Sequence, residues 1–144
     1  MEQEPEVKRV IAELKRTAAK ARKAEVAKAI RNNAADAAWV VADNARKAAH
    51  VAWDAAKNSP STWDATTATL DAANAAERKA YDRSQRSHYV RGEAEELACA
   101  AEDNLEAAQN CQTLADLLGC ECSAVRLATQ FALNPKPPTP KRKR

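Results

Sequence analysis

The stretch that decides the fold is residues 33–57, NAADAAWVVADNARKAAHVAWDAAK. At helical spacing, small or apolar side chains cover about three quarters of its circumference, interrupted by Arg46, and the other charged residues share one narrow strip. A helix at a protein surface normally has one apolar stripe and a broad polar back. We therefore interpret this stretch as a central helix that neighbours approach on two sides, with Trp39 and Trp53 as packing anchors.

The rest of the chain has the composition of an all-α protein. Alanine, the best helix former, makes up roughly a quarter of the sequence. Only two glycines occur, Gly92 and Gly119, and no run alternates β-branched with polar residues as a strand would. The predicted fold is an alanine-rich bundle of about four long helices, with a short C-terminal helix and a disordered basic tail.

Helix boundaries follow from caps and breakers. One helix over 5–57 would be about 78 Å long, too long for a compact domain, so we predict a break at Asn32 and Asn33. Ser59 and Pro60 suit a helix start, and Gly92 lies in a predicted joint. The predicted helices cover about 5–31, 33–57, 60–87, 93–118 and 123–133, the last capped by Ser123.

The predicted domain organisation is a helical bundle over 1–133 followed by the tail 134–144, NPKPPTPKRKR, whose proline and charge prevent packing. Burying alanine removes little apolar area from water, so a homo-oligomer that completes the core is left open. No apolar run approaches the ~20 residues that span a bilayer, and the N-terminus lacks the apolar region of a secretory signal. We expect a cytoplasmic protein with reduced thiols and no membrane partner.

Charge is distributed unevenly along the chain. Residues 1–31 carry nine Lys or Arg and five Glu, whereas residues 92–122 carry eight Asp or Glu and no Lys or Arg. The tail is purely basic. Two interpretations stay open: the basic and acidic helices lie side by side, or one of them is presented to a partner.

No arrangement of residues predicts catalysis. Two isolated glycines cannot form a phosphate-binding loop. His50 shares a helix face with Asp43 and Asp54, but Lys47 lies on the same face, so a solvated strip of i,i+4 pairs is the preferred interpretation. His88 has no partner in reach within the predicted joint. The sequence predicts no catalytic residue, no cofactor and no enzyme activity.

The four cysteines do not predict a metal site either. Cys99 and Cys111 would lie about 18 Å apart along one helix and cannot share an ion. Cys111, Cys120 and Cys122 could converge across the turn at Gly119, but no fourth ligand is evident. A disulfide from Cys111 to either neighbour is the alternative in an oxidising compartment. We interpret the thiols as free groups that fill small core sites.

The block 34–39 together with 48–56, rich in Ala, Trp, Asp, Arg and His, resembles alanine-rich helical proteins of high-GC bacteria and their phages, some of them described as immunity proteins. The chain is also similar in size, and in its lack of catalytic motifs, to small phage-encoded inhibitors such as anti-CRISPR proteins. This resemblance implies a protein that acts by docking on a macromolecular partner.

Two functions are predicted from these observations. The first is a non-catalytic inhibitor or immunity-type protein that binds a protein partner through an acidic face. That face comprises Glu95, Glu96, Glu102, Asp103 and Glu106.

The alternative is a non-specific nucleic-acid-binding protein that uses the first helix and the tail, whose flexible positive charges suit a phosphate backbone. The basic residues of the first helix are spread around it, and no base-stacking aromatics accompany them, so sequence-specific recognition is not predicted. The predicted contacts are Lys8, Arg9, Lys15, Arg16, Lys136, Lys141, Arg142, Lys143 and Arg144.

Overall fold

A computed structural model of the chain describes residues 2–134, which form four α-helices and no strand. The helices are α1 (Pro5–Ala55), α2 (Pro60–Gln109), α3 (Leu114–Leu118) and α4 (Ser123–Leu133). The predicted all-α fold class is confirmed. No helix in the described range has the length and apolar character needed to cross a membrane. The predicted tail lies outside the described residues from position 135 onward.

Two predicted helix breaks are wrong. α1 continues through Asn32 and Asn33, and α2 continues through Gly92, so two helices of 51 and 50 residues replace four. The length of α1 is tolerated because α2 packs against it within each of the two compact units described below. Asn32 is fully buried, and its side chain contacts α2, so a tertiary contact overrides the capping preference of asparagine. A single glycine inside a long helix costs only about 1 kcal/mol.

The predicted helix over 93–118 is also divided. α2 ends at Gln109, and a capping box starts α3: Thr113 Oγ1 accepts from the Asp116 amide, and Asp116 Oδ2 accepts from the Thr113 amide, both at 3.1 Å. The last helix spans the predicted residues, but Ser123 is its first residue rather than its cap. Cys122 occupies the N-cap, and its side chain makes no capping hydrogen bond to the backbone of α4.

The chain divides into two compact units, each built on part of α1 and part of α2. Unit 1 comprises Met1–Lys23 and Glu95–Arg144, and unit 2 comprises Ala24–Ala94. The core of unit 1 is made of side chains from all four helices and the segment between α2 and α3. Its buried members are Val7, Val10, Ile11, Leu14, Ala108, Cys111, Leu117 and Val125.

The N-terminal residues of unit 1 bind the segment between α2 and α3. The Glu4 amide donates to the Gln112 carbonyl at 3.2 Å, and Glu4 Oε2 accepts from the Leu114 amide at 2.9 Å. Gln3 Nε2 donates to the Cys111 carbonyl at 2.9 Å. These bonds satisfy backbone groups of the segment between α2 and α3 and of the first residue of α3, so they hold the start of α1 against them.

Unit 2 is a helical hairpin whose two helices are joined by a turn between Ala55 and Pro60. Its tryptophans lie at the helix contact. Trp39 Nε1 donates to Glu77 Oε1 at 2.9 Å, and the Trp53 and Trp63 ring centroids are 5.0 Å apart. The interpretation of Trp39 and Trp53 as packing anchors is confirmed. The buried apolar residues between the helices are mostly small: Ala35, Ala49, Ala56 and Leu70.

Candidate functional site

A cluster of four polar side chains links α1 and α2 in unit 2. Asn32 and Asp36 lie one turn apart on α1, and Ser84 and His88 lie one turn apart on α2. Asp36 Oδ1 accepts from Ser84 Oγ at 2.5 Å and lies 3.1 Å from His88 Nε2. The Asn32 Nδ2 atom lies 3.4 Å from His88 Nδ1.

The hydrogen bonds of this cluster assign a role to each group. With the proton on Nε2, His88 donates to Asp36 and accepts from Asn32 through Nδ1. A Ser–His–Asp nucleophile requires the serine hydroxyl to bond to the imidazole, whereas Ser84 donates to Asp36 and is only 2 % exposed. The cluster therefore joins two helices rather than activating a nucleophile.

The sequence-based expectation for His88, that no partner lies in reach, is wrong. It assumed a joint at 87–92, where the chain is helical, and regular helix geometry turns His88 toward α1. A signal was present in the sequence, because Asn32 with Asp36 and Ser84 with His88 both have i,i+4 spacing. Only the pairing of the two helices brings these pairs together.

Asn32 is the one described side chain with a buried atom that lacks a hydrogen-bond partner. The residue is 0 % exposed, and its Oδ1 atom accepts no hydrogen bond from any group within residues 2–134. An unsatisfied buried acceptor costs about 1–3 kcal/mol. Unit 2 therefore carries an unfavourable group at its helix contact.

The second histidine lies on the solvated strip that the sequence predicts. His50 Nδ1 lies 3.2 Å from Asp54 Oδ2, and Lys47 Nζ lies 2.9 Å from Asp43 Oδ2. Hydrogen bonds from Lys47 and then Arg46 hold the pKa of Asp43 below its ordinary value. The interpretation of this strip as a row of surface pairs is confirmed.

An open basic groove lies between α1 and α2 in unit 2, beside the polar cluster. It has a volume of about 290 Å³. A second groove of about 310 Å³ shares Arg31, Arg83 and Ser87 with it and is otherwise walled by alanines of α1. No carboxylate lines either groove. The lining residues of the first groove are Lys28, Arg31, Arg83, Arg86, Ser87 and Val90.

Sequence reasoning missed this groove because its cations come from two distant segments. Lys28 and Arg31 were assigned to a first helix that ended at residue 31, and Arg83 and Arg86 to the end of a third. In each segment they read as ordinary solvated charges. The i,i+3 spacing within each pair is the only local signal that they share a face.

The predicted acidic face lies on the part of α2 that belongs to unit 1. Its five carboxylates are all exposed, and their spacing places them on one side of the helix. Glu102 is engaged within the chain: Arg22 Nε and an Arg22 terminal nitrogen donate to its two oxygens at 2.9 and 2.7 Å. These hydrogen bonds lower the pKa of Glu102. Basic and acidic helices thus lie side by side at this pair.

The predicted nucleic-acid contacts on α1, Lys8, Arg9, Lys15 and Arg16, are all exposed in unit 1. Arg16 forms a surface ion pair with Glu13 at 3.0 Å. The remaining predicted contacts lie outside the described residues: Lys136, Lys141, Arg142, Lys143 and Arg144.

All four cysteines are free thiols. Cys111 is buried, and this burial, followed by the neighbouring Cys120, raises the pKa of its thiol. Cys122 Sγ lies 2.9 Å from Asn104 Oδ1, whereas Cys99 is exposed. No group of three or more metal-ligating side chains occurs within residues 2–134.

The outer face of α1 in unit 2 carries no charge. At 100° per residue, the charged residues of 24–57 all fall within one part of the circumference, and the opposite side holds only Ala, Val, Ile and Asn. α2 packs on the charged side, so this face is open in unit 2. Five large aliphatic side chains on it are 49–70 % exposed: Val26, Ile30, Val40, Val41 and Val51.

Comparison of the chain with models of protein families, with curated proteins and with solved structures finds no match. The surfaces of the molecule itself are therefore the guide to its function. Three of them differ from an ordinary mixed-charge surface: the charge-free face of α1, the acidic face of α2 and the basic groove.

Proposed function

We propose that the protein is a non-catalytic helical binding protein that docks on a protein partner, as an inhibitor or immunity-type protein does. The observation that carries the proposal is the charge-free face of α1 over residues 26–55. A surface helix normally turns a polar back to water. This one turns aliphatic side chains and alanines to water, with Val41 and Val51 at 69 and 70 % exposure.

Burial of this face against a partner would contribute about 25 cal/mol of binding free energy for each Å² of apolar surface removed from water. Large contiguous apolar patches are rarely exposed on monomeric proteins, and those that are exposed usually mark interaction sites. Alanine and valine are short, so a partner helix can approach the α1 backbone closely. The face spans 30 residues of helix, about 45 Å, which is long enough for a helix-against-helix contact.

The acidic face of α2 is the second contact in this proposal. Glu95, Glu96, Asp103 and Glu106 are exposed carboxylates with one sign of charge. Such a surface accelerates encounter with a basic partner and selects against acidic ones. The free thiols fit a reducing compartment, and the proposal places the protein in the cytoplasm.

Capture of a partner from lysates of the host or of phage-infected cells tests the first contact. Val41→Lys with Val51→Lys should abolish capture and leave the thermal midpoint nearly unchanged, because both side chains are exposed. Ala72→Lys with Gln85→Lys on α2 is the matched control, since both residues are also exposed. Capture that survives the valine changes would exclude the α1 face.

Sedimentation of the purified chain distinguishes two kinds of partner. A dimer that forms in the wild type and is lost in the valine variant would assign this face to a second copy of the chain. That result would replace the inhibitor proposal with self-association.

Alanine replacement of the predicted acidic face tests the second contact. We expect slower association and a weaker dependence of the rate on ionic strength. Unchanged capture would remove the acidic face from the account. The variant replaces Glu95, Glu96, Glu102, Asp103 and Glu106 together.

The second candidate function is non-specific binding of nucleic acid by α1 and the tail. Exposure of Lys8, Arg9, Lys15 and Arg16 favours it. A gel shift over a salt series is the test, because each neutralised phosphate adds to the salt dependence. Binding that is indifferent to salt, or unaffected by removal of residues 135–144, would contradict it.

A further inference from the structure

We propose that the basic groove of unit 2 binds the phosphate backbone of a nucleic-acid strand through Lys28, Arg31, Arg83 and Arg86. This inference is independent of the docking proposal. It also differs from the second candidate function, because it uses none of the residues of α1 before position 24 and none of the tail.

The charge of the groove favours an anionic ligand. Both walls contribute cations, and no carboxylate lines the space between them. None of the four cations forms an ion pair within residues 2–134. Elsewhere in the same unit, Arg46 and Lys47 share Asp43, and Lys57 pairs with Asp54. The groove therefore concentrates positive charge that the chain neutralises elsewhere, and an anion would relieve the mutual repulsion.

The length of the cationic row favours a strand over a single phosphate. The contacts of Asn32 with His88 and of Asp36 with Ser84 set an antiparallel register, in which Arg83 lies across from residue 37 of α1. The row from Lys28 to that level covers about 13 Å at 1.5 Å per residue. A single phosphate cannot reach charges spread over this distance, whereas successive phosphates of one strand can.

The chemistry of the donors suits phosphate oxygens. Three of the four cations are arginines, whose planar forks match phosphate oxygens in a bidentate manner. Ser87 adds a hydroxyl between them, and the second groove extends the path along Ala34 and Ala38. No aromatic side chain lines either groove, so bases have no side chain to stack on, and recognition would be of the backbone and not of the sequence.

The polar cluster gives the groove a fixed shape. Its hydrogen bonds join α1 and α2 immediately beside the lining residues, at Asn32 with His88 and at Asp36 with Ser84. Cations on two helices can act on one strand only if the helices keep their register. These hydrogen bonds between the two helices therefore support the groove.

Fluorescence anisotropy with a labelled oligothymidylate of about 20 nucleotides tests the proposal in the full chain over a salt series. The groove variant replaces Lys28, Arg31, Arg83 and Arg86 with Gln. For single strands, each phosphate contact contributes about 0.7 to the slope of log affinity against log salt concentration. Loss of four contacts should therefore reduce the magnitude of this slope by about 3. Affinity at low salt should fall more than about tenfold.

The matched control removes the same number of charges from unit 1 by changing Lys8, Arg9, Lys15 and Arg16 to Gln. An affinity of this control within about twofold of wild type supports binding in the groove, because the electrostatic contribution to affinity scales with the number of phosphates contacted. Equal losses in the two variants would show attraction by net charge alone and would overturn the proposal. Loss on removal of residues 135–144 alone would also overturn it.

Competitors distinguish the ligand class. Unlabelled oligonucleotide should displace the probe, whereas polyglutamate at equal charge and inorganic phosphate should not. Displacement by polyglutamate at the same concentration would overturn the assignment to phosphate. Displacement by millimolar inorganic phosphate at constant ionic strength would overturn the assignment to a strand.

Two further measurements do not require the Gln variant to fold. Replacement of Arg31, Arg83 and Arg86 with Lys keeps the charge and removes the forks, so the salt slope should persist while affinity falls. In the wild type, the oligonucleotide should protect these three arginines from phenylglyoxal and leave the exposed Arg78 reactive. Equal modification of all four with and without oligonucleotide would overturn the proposal.

Discussion

The two units hold the same pair of helices together by different means. In unit 1, Val7, Leu117 and Val125 are fully buried and belong to one aliphatic cluster. In unit 2, the buried apolar residues are mainly alanines, and the fully buried side chain at the helix contact is the amide of Asn32. Both units are α-helical, so secondary structure alone does not determine how a helix pair is stabilised.

This difference has an energetic meaning. A fully buried Leu or Val gains about 1.5–3 kcal/mol relative to exposure, whereas alanine buries little area. Unit 2 compensates for its small buried apolar area with aromatic contacts and hydrogen bonds, such as Trp39 with Glu77. These interactions form only when α1 and α2 pair in one register. Its helix contact is therefore specific rather than strongly cohesive. The open charge-free face of α1 in the same unit fits a helix whose apolar surface is only partly used.

The largest expected effect is the loss of a core side chain in unit 1. Leu117→Ala should reduce the free energy of unfolding by about 2–5 kcal/mol, because it leaves a cavity among packed aliphatic groups. Urea unfolding followed by circular dichroism measures it. Leu97→Ala is the control, since Leu97 is 68 % exposed and should change stability by less than about 0.5 kcal/mol. Similar values for the two variants would contradict the account of the unit 1 core.

A smaller effect on stability is expected from Asn32, the fully buried side chain at the helix contact of unit 2. Asn32→Ala removes a fully buried side chain, but it also removes the unsatisfied Oδ1 acceptor, whose burial costs about 1–3 kcal/mol. The two contributions oppose each other, so the net change should stay within about 1 kcal/mol. Asn33→Ala at the exposed neighbour controls for helix propensity. A loss as large as that of Leu117→Ala would remove the contrast between the units.

Local sequence patterns were sufficient to predict the parts of the fold that depend on interactions between residues close in sequence. Alanine content predicts the all-α class, Ser59 and Pro60 mark the start of α2, and the final helix spans the predicted residues 123–133. Apolar spacing identifies Trp39 and Trp53 as anchors. Caps, turns and helical periodicity involve residues a few positions apart, so a single sequence contains the information.

The remaining features depend on contacts between distant segments. Asn32 and Gly92 are local signals for a break, but the pairing of α1 with α2 outweighs them. His88 finds Asp36 only because residues separated by 52 positions become neighbours. The basic groove forms in the same way, from two pairs of cations that are unremarkable in isolation. No propensity or spacing rule contains the register of two helices.

Gly92 offers a way to raise stability without touching either core. An added Cβ would meet no atom within 4 Å, and the residue lies inside α2. Gly92→Ala should therefore increase the free energy of unfolding by about 0.5–1 kcal/mol through helix propensity. Gly119→Ala is the control, because its Cβ would lie 3.2 Å from the Ala115 carbonyl oxygen. Equal gains at both glycines would contradict the packing described for α3.

The smallest expected effect is a pH dependence at the start of α3, which places Leu117 in the unit 1 core. Backbone amides of Gln112 and Thr113 donate to Asp116 and hold its pKa below the ordinary value. A carboxyl group with a lowered folded pKa contributes stability above its unfolded pKa, and that contribution disappears as pH falls through the folded value. Asp116→Asn should therefore be less stable than wild type at neutral pH, and the difference should vanish in acid. Urea unfolding of both proteins from pH 7 down to below the folded pKa measures it. A difference that persists unchanged in acid would assign the effect to the shape of the side chain and not to its charge.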